Sequence, residues 1–246
     1  MKKITLSICF LFAFHLVATA QMGKFRYGFQ ASPTWSWLRS NDKKIEGNGT
    51  NWGLKLGVTA EYYLNPEQTF AFIGGLGFGF NQGGTVITNY DRSVNWGDSD
   101  LSSAAFDTLG KGAKLHYRLN YVEIPFGFKA RFGTGEDSRL RYWLEAPIFT
   151  LGFLTKAVGD IRGTNAQNTE DETIRDDVKG LSLAWGLGAG VEYEIASSAT
   201  VYTGLSFQRQ FTDATGNATV FENNDWKTKD PKTYTGVMAV RLGVFF

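Results

Sequence analysis

Cysteine, proline and long apolar runs are all scarce in this chain. The only cysteine, Cys9, lies in an apolar N-terminal segment, and there are 5 prolines among 246 residues. A disulfide framework is therefore excluded for the rest of the chain. After Gln21, no apolar run has the length of a helix that spans a membrane. Membrane insertion of that part would require a closed β-barrel, the other structure that satisfies every backbone polar group in lipid.

The N-terminus has the pattern of a secretory signal peptide. A basic start at 2–3 precedes an apolar run at 4–17, and the Ala-Thr-Ala sequence at 18–20 fits a cleavage site. We therefore predict a cleaved signal peptide at 1–20. The remainder, 21–246, has a length that suits one domain.

Acidic and basic residues are nearly balanced, so the chain has no excess of charge of one sign. Removal of the two lysines of the signal peptide from the 25 basic residues leaves 23, against 24 acidic residues. This balance argues against a nucleic-acid partner. Aromatic residues and glycine are abundant instead, with 20 Phe, 10 Tyr, 7 Trp and 29 Gly. The Gly-x-Gly runs lack the strand-to-helix context of a phosphate loop, so we expect no cofactor.

A period of two in the side chains predicts β-strands. From 181 to 195, odd positions carry apolar or aromatic residues, apart from one alanine, while even positions are small and then acidic. Successive side chains of a strand point to opposite faces, so one face of this segment is apolar along its length. The same pattern predicts eight strands, at 25–38, 52–64, 69–82, 115–132, 139–154, 181–195, 199–211 and 233–246.

The fourth predicted strand changes phase. Its apolar residues occupy odd positions first and even positions afterwards: Tyr117, Leu119 and Tyr121, then Ile124, Phe126 and Phe128. One extra residue would keep all of them on one face. The pattern therefore predicts a β-bulge near Val122.

Connections between the predicted strands alternate between short and long. The short turns are at 65–68, 133–138 and 196–198, and the long polar connections are at 39–51, 83–114, 155–179 and 212–232. This alternation is typical of outer-membrane barrels, with periplasmic turns and longer outside loops. It predicts an all-β fold, an eight-stranded antiparallel up-and-down transmembrane β-barrel. An even number of strands places both termini in the periplasm.

The face opposite the apolar one carries charges of both signs. We predict a lumen charge network of Lys55, Glu61, Arg118, Glu123, Arg141, Glu145, Glu192, Glu194 and Arg241; Arg26 and Lys129 share this face. Side chains fill the lumen of an eight-stranded barrel, and buried charges must pair. A soluble lipocalin-like barrel would instead have to fit too many large rings into one interior. The pattern favours lipid outside.

Aromatic residues collect near the ends of the predicted strands. Trp35, Trp37 and Trp52 lie toward the long loops, whereas Tyr62, Tyr193 and Phe246 lie toward the short turns. Two such belts mark the two interfaces of a membrane-spanning barrel. We therefore predict that these six residues form the aromatic girdle.

Two segments resemble a known family. LNYVEIPFGFKARFG (119–133) and GLGAGVEYEI (186–195) resemble strands of the PorT-like outer-membrane β-barrel family of Bacteroidota, and FRYGFQASPTWSWL (25–38) is similar to its first strand. The resemblance covers nearly all of 21–246 and implies an eight-stranded outer-membrane barrel. It implies little about activity, since most members have no assigned role. The name-giving member serves a protein-secretion system, and that role is not carried over to this chain.

Candidate chemistry is sparse. His116 could act as a general base with Ser102, Ser103 or Asp107, but no spacing fixes that geometry. The acidic residues at 170–177 lack the regular spacing of a calcium loop, so we expect a solvated loop and no metal site.

We therefore expect a non-enzymatic barrel in contact with outer-membrane lipid. Its expected role is structural or interactive, such as a subunit of an envelope or secretion complex. The partner would be bound through the outside loops at 83–114, 155–179 and 212–232, or through the periplasmic turns. A small pore or ligand-binding barrel and a rim-located hydrolase are the alternatives.

Overall fold

The structure is a computed structural model that describes residues 24–103, 108–133, 139–163 and 168–246. The predicted signal peptide lies outside the described residues and stays a prediction. The strands are β1 (Phe25–Ser40), β2 (Ile45–Tyr63), β3 (Phe70–Thr88), β4 (Arg92–Val94), β5 (Leu109–Gly110), β6 (Ala113–Gly133), β7 (Leu140–Arg162), β8 (Thr169–Thr173), β9 (Leu181–Ala196), β10 (Ala199–Gln210), β11 (Ala218–Glu222), β12 (Asp225–Lys229) and β13 (Thr233–Phe245). Among the described residues, no helix is long and apolar enough to cross a membrane.

Eight of these strands close into an antiparallel barrel. The order around it is β1, β2, β3, β6, β7, β9, β10 and β13, and β13 pairs again with β1. Each strand pairs with its neighbours in the chain, once the short extra strands are set aside. The predicted fold class is confirmed.

The barrel strands extend further than predicted at one end. Short turns join β2 to β3 and β9 to β10 at the end that we call the turn end, and β6 ends and β7 begins at this same end. At the opposite, loop end, β2 already begins at Ile45, β3 runs to Thr88 and β7 runs to Arg162. The predicted loop at 39–51 therefore shrinks to a hairpin connection at 41–44. Much of the segment predicted as loop is a continuation of the barrel wall.

An apolar band surrounds the barrel on its outer face. Along β2 it runs from Trp52 to Tyr62, which are 66% and 37% exposed, through Leu54, Leu56 and Val58. The predicted girdle residues all lie on this face, and Trp35 packs against Trp52 with ring centroids 4.6 Å apart. The band has the outward apolar surface that a transmembrane barrel requires.

The predicted bulge near Val122 is wrong. Odd residues of β6 face inward along its whole length, so Tyr117, Leu119 and Tyr121 are buried inside the barrel. The extra residues lie instead in the two neighbouring strands. In β3 the register shifts between Gly79 and Gln82, and in β7 an additional residue lies between the partners of Asn120 and Tyr121. The apolar residues of β6 lie on the inner face at the loop end and on the outer face in the apolar band. This change follows the surroundings of the strand and does not require a bulge in β6.

The inward tyrosines of β6 belong to an apolar core that fills the loop-end half. Leu115 and Ile174 are completely buried there, and Trp96 donates an indole hydrogen bond to the Tyr117 hydroxyl over 3.0 Å. The remaining buried members include Leu38, Ile45, Val86, Leu154, Ala157, Ile161, Val178 and Val220. This half is packed like the interior of a water-soluble domain.

A second sheet covers the loop end. Its strand order is β12, β11, β4 and β5, and all three pairings are antiparallel. The connections that precede β6 and β13 supply these strands. Val220 on β11 contributes to the apolar core, which attaches the sheet to the barrel.

Candidate functional site

The turn-end half of the lumen contains a compact charge cluster centred on Lys129. The Lys129 ammonium lies 2.7 Å from Glu61 and also pairs with Glu192. Arg26 bridges the same two carboxylates, at 2.6 Å from Glu61 and 3.0 Å from Glu192. Three of these side chains, Lys129, Glu61 and Glu192, are almost completely buried. Buried charges of this kind are tolerated because each one is paired.

Two further arginines extend the cluster. Arg241 pairs with Glu145, and Arg131 lies 3.4 Å from Glu192 while donating a hydrogen bond to the Tyr63 hydroxyl. Glu145 in turn lies 3.8 Å from Lys129. The pairs therefore form one network across the lumen rather than separate bridges.

Aromatic rings fill the space around these charges. Trp143, Tyr202 and Phe245 form a small buried cluster. The guanidinium of Arg26 lies 4.0 Å from the centroid of Phe245, and the ammonium of Lys129 lies 4.9 Å from it. These cation–π contacts supplement the ion pairs of the same two cations. Rings and ion pairs together occlude this half of the lumen.

A cavity of about 80 Å³ with both polar and apolar walls lies between the charge cluster and the apolar core. Lys55 lines it and pairs with Glu123 at 2.8 Å, while Gln82 donates to the same carboxylate over 2.6 Å. The lining hydroxyls of Ser32 and Thr59 have no hydrogen-bond partner among the described residues. The cavity is large and polar enough to hold ordered water.

The structure brings together most of the predicted lumen network. Lys55, Glu61, Glu123, Glu145, Glu192 and Arg241 all make the lumen contacts described above. Arg141 and Glu194 lie near the turn end and are only partly buried.

Arg118 does not belong to the lumen network, so this part of the prediction is wrong. It is an even residue of β6 and therefore lies on the outer face, above the apolar band. Its guanidinium is 2.6 Å from Asp160 and 2.8 Å from Asp171. The prediction failed because it assigned the charged residues of this strand to the lumen, although at the loop end the outer face is the polar one.

Several lumen residues were not predicted. Arg131, Tyr63, Trp143, Tyr202 and Phe245 all point inward. The signal was available in the alternation itself, since Arg131 follows Lys129 by two residues and Trp143 lies between Arg141 and Glu145. Aromatic residues were interpreted as lipid-facing, so those with inward parity were overlooked.

The loop-end sheet carries an exposed aromatic and basic cluster. Phe221 on β11 packs against Trp226 on β12 with ring centroids 5.4 Å apart, and the Arg92 guanidinium lies 5.5 Å from the Trp226 ring. Trp226 is 40% exposed. We call these three residues the Arg92–Trp226 cluster.

Ion pairs tie the same sheet to the barrel rim. Glu222 accepts hydrogen bonds from Lys229 and Lys44, each over 2.8 Å. The hydrogen bond from Lys229, followed by that from Lys44, lowers the pKa of Glu222 to about 2. Lys44 also lies over the ring of Tyr90, whose hydroxyl donates to Asp42 over 2.5 Å.

The hydrogen bonds of His116 and Ser102 do not join the two residues. Its Nδ1 atom lies 2.9 Å from the Thr85 hydroxyl, and Ser102 hydrogen-bonds to Glu172. Burial lowers the pKa of His116. Asp107 lies outside the described residues. Within the described chain, His116 and Ser102 therefore have separate partners.

Three of the acidic residues at 170–177, Asp171, Glu172 and Asp177, interact with protein groups. Glu172 accepts hydrogen bonds from Ser102 and Thr169, and although burial opposes the change, these bonds lower its pKa. Asp177 accepts a backbone hydrogen bond from Asp98 over 3.2 Å. Within the part of the chain that is described, no group of three or more acidic, histidine or cysteine side chains could hold a metal ion.

Closed strand pairing, an outward apolar band and a charged lumen together define a transmembrane β-barrel. The chain belongs to the outer membrane protein beta-barrel domain family, whose model matches residues 19–210. It is thus an outer-membrane eight-stranded β-barrel protein. No match was found among curated protein sequences.

Solved structures similar to this chain include small outer-membrane proteins. A major outer membrane protein of Thermus thermophilus is 14% identical with a TM-score of 0.44, over 90% of this chain and 98% of that one. Neisserial surface protein A (NspA) is 12% identical with a TM-score of 0.38, over 89% and 95% of the two chains. The attachment invasion locus protein Ail of Yersinia pestis is 12% identical with a TM-score of 0.38, over 91% and 99%.

Proposed function

We propose that this protein is a non-enzymatic, non-conducting outer-membrane barrel whose loop end is a binding platform for a protein partner. The observation that carries the proposal is the packed loop-end half, in which an apolar core and a second sheet lie above an occluded lumen. Binding residues commonly lie on connections held by a rigid scaffold. A pore would need an open channel, whereas this core fills the loop-end half of the barrel.

In this proposal the loop end is extracellular and both termini are periplasmic. The two motifs at 119–133 and 186–195 support placing the chain in the PorT-like group of Bacteroidota. The proposed partner belongs to an envelope or secretion complex, and the platform holds it at the cell surface.

The Arg92–Trp226 cluster is the proposed contact surface. Tryptophan and arginine are the residues most enriched where binding energy concentrates in interfaces. Trp226 of the cluster lies on β12, which pairs only with β11 in the described part of the chain. An edge strand of this kind can accept a strand from a partner.

The test is co-purification from native membranes in mild detergent. The wild-type protein is expected to retain a partner in stoichiometric amount. A Trp226→Ala, Arg92→Ala double variant is expected to lose it, because the exposed cluster is removed while the buried core is untouched. The matched control is Trp52→Ala, which removes an exposed tryptophan from the apolar band instead.

Retention of the partner by the cluster variant, or its equal loss from the Trp52 control, would contradict the proposed surface. Discrete conductance steps of the wild-type protein in planar bilayers would contradict the non-conducting proposal and favour the pore.

A further inference from the structure

A notch interrupts the apolar band near the loop end, where β1, β13 and β10 lie side by side. In the strand register, Gly236 of β13 lies opposite Trp37 of β1 and Arg209 of β10. A Cβ atom at Gly236 would lie 2.5 Å from the Trp37 ring, so the indole lies directly over bare backbone. The resulting cavity of about 240 Å³ is lined by Trp37, Arg39, Phe207, Arg209, Tyr234 and Gly236.

Arg209 points outward from within the apolar band. Phe207 precedes it on the same face of β10, Phe211 follows just past the end of the strand, and its register partner on β9 is Trp185. Phe211 is 51% exposed and Trp185 is 40% exposed, so the surroundings of the guanidinium are those of a lipid-facing surface. A charge in such a place is unfavourable unless it reaches interfacial water or an anion.

A second arginine lines the same cavity. Arg39 follows Trp37 by two residues on the outer face of β1 and lies opposite Tyr234. Across 24–103, 108–133, 139–163 and 168–246, neither Arg39 nor Arg209 forms an ion pair with an acidic side chain. The cavity therefore combines two uncompensated guanidinium groups with aromatic walls.

We propose that the notch binds the phosphate of a membrane lipid between Arg39 and Arg209, with an acyl chain on the apolar band below. The guanidinium group of arginine can donate two parallel hydrogen bonds to the oxygens of one phosphate. The negative charge of a phosphate also complements the positive charge of the cavity. Leu205 and Met238, which are 59% and 45% exposed, continue the surface along β10 and β13 toward the turn end. A free phosphate ion would use the arginines but not this apolar extension. With the orientation proposed above, the lipid is a phosphorylated glycolipid of the outer leaflet.

The experiment uses the full-length barrel in phosphatidylcholine nanodiscs that contain bisphosphorylated lipid A. Native mass spectrometry measures the lipid A that stays bound. The wild-type protein is expected to retain lipid A over phosphatidylcholine. The Arg39→Gln, Arg209→Gln variant is expected to bind it more weakly by roughly tenfold for each charged hydrogen bond lost, or about a hundredfold in total.

Two further variants keep the test specific. Gly236→Leu fills the notch without changing charge and is expected to lose the bound lipid as well. Lys156→Gln removes an exposed outward cation of β7 that lies away from the notch and is expected to retain it. Gel mobility of unheated samples checks that each barrel is folded.

Three outcomes would overturn the proposal: no preference of the wild-type protein for lipid A, equal retention by the double arginine variant, or equal loss from Lys156→Gln. Displacement of lipid A by inorganic phosphate alone would overturn the assignment to a lipid. The choice of lipid A rests on the proposed orientation of the loop end, but none of these measurements involves a protein partner, so the proposed binding platform is tested separately.

Discussion

Below the level of Trp52 and Phe153, the barrel is apolar outside and charged inside. Above that level, the same strands are polar outside and apolar inside. β6 crosses the boundary without a change of phase: its inward residues are Glu123 and Lys129 on one side and Leu115 and Leu119 on the other. The comparison shows that the surrounding solvent, lipid or water, decides which face of a strand is apolar.

The two halves also depend on different interactions. In the band half, Lys129, Glu61 and Glu192 are buried, Arg26 is largely buried, and all four depend on mutual pairing. In the loop-end half, stability comes from apolar side chains packed as in a soluble domain. Equivalent substitutions should therefore have different consequences in the two halves.

The largest effect is expected from removing the central cation of the lumen. Lys129→Met leaves Glu61 and Glu192 buried with less positive charge, and breaking a buried pair in this way costs about 3–5 kcal/mol. Denaturant unfolding of the barrel in lipid vesicles measures the loss. Lys227→Met, which removes an exposed cation from β12, is the control and should unfold like the wild type. Equal midpoints for the two variants would mean that the charge cluster does not stabilise the band half.

A cavity in the loop-end core should have the next largest effect. Leu115 is completely buried, so Leu115→Ala is expected to cost about 2–5 kcal/mol. Limited proteolysis should then cut the loop-end connections of a barrel that remains folded. Leu76→Ala is the matched control in the band, where Leu76 is 45% exposed and lipid can occupy the vacated space. Cleavage of both variants at the same rate would remove the distinction between the two halves.

A smaller effect is expected from adding a side-chain carbon where the aromatic rings pack in the lumen. A Cβ atom at Gly204 would lie 2.4 Å from the Trp143 ring and 2.3 Å from the carbonyl oxygen of Ala189. Overpacking of this kind costs about 1–3 kcal/mol, so Gly204→Ala should unfold at lower denaturant concentration. At Gly74 the added carbon would meet nothing within 4 Å, so Gly74→Ala should change little. A reversed order of the two variants would refute the lumen packing described here.

The smallest effect concerns pH and the loop-end sheet. The pKa of Glu222 is held at about 2 by hydrogen bonds from Lys229 and Lys44, below its ordinary value of 4.5. Because the folded-state pKa is the lower one, this stabilisation is present above pH 4.5 and is lost as the pH falls toward 2. The protection factors of the β11 and β12 amides, which correct for the intrinsic pH dependence of hydrogen exchange, should therefore decrease as the pH falls over that interval. Glu222→Gln should abolish this dependence, whereas Glu46→Gln on the exposed start of β2 should preserve it.

The sequence alone predicted the band half well. Alternation in segments such as 181–195 and 52–64 identified the strands, their outward apolar face and charges such as Glu61 and Glu192 inside. These predictions succeed because one rule, apolar side chains toward lipid, holds wherever lipid surrounds the strand.

The same rule failed at the loop end. There it placed Arg118 in the lumen and required a bulge near Val122, and it left Ile45 and Thr88 in loops. Above the band the apolar face turns inward, so a continuing strand looks like a change of phase. The second sheet was not predictable, because β4, β5 and β12 are short and are formed by pairing between segments distant in sequence.

The most direct test is whether the apolar face of β6 is outside in the band half and inside in the loop-end half. A nitroxide scan along β6 compares accessibility to oxygen in lipid with accessibility to a water-soluble nickel reagent. We expect Ile124, Phe126 and Phe128 to be accessible to oxygen, and His116, Arg118 and Asn120 to the nickel reagent, all on one continuous even-numbered face. Oxygen accessibility at Tyr117, Leu119 and Tyr121, with protection at the even positions beside them, would contradict the account.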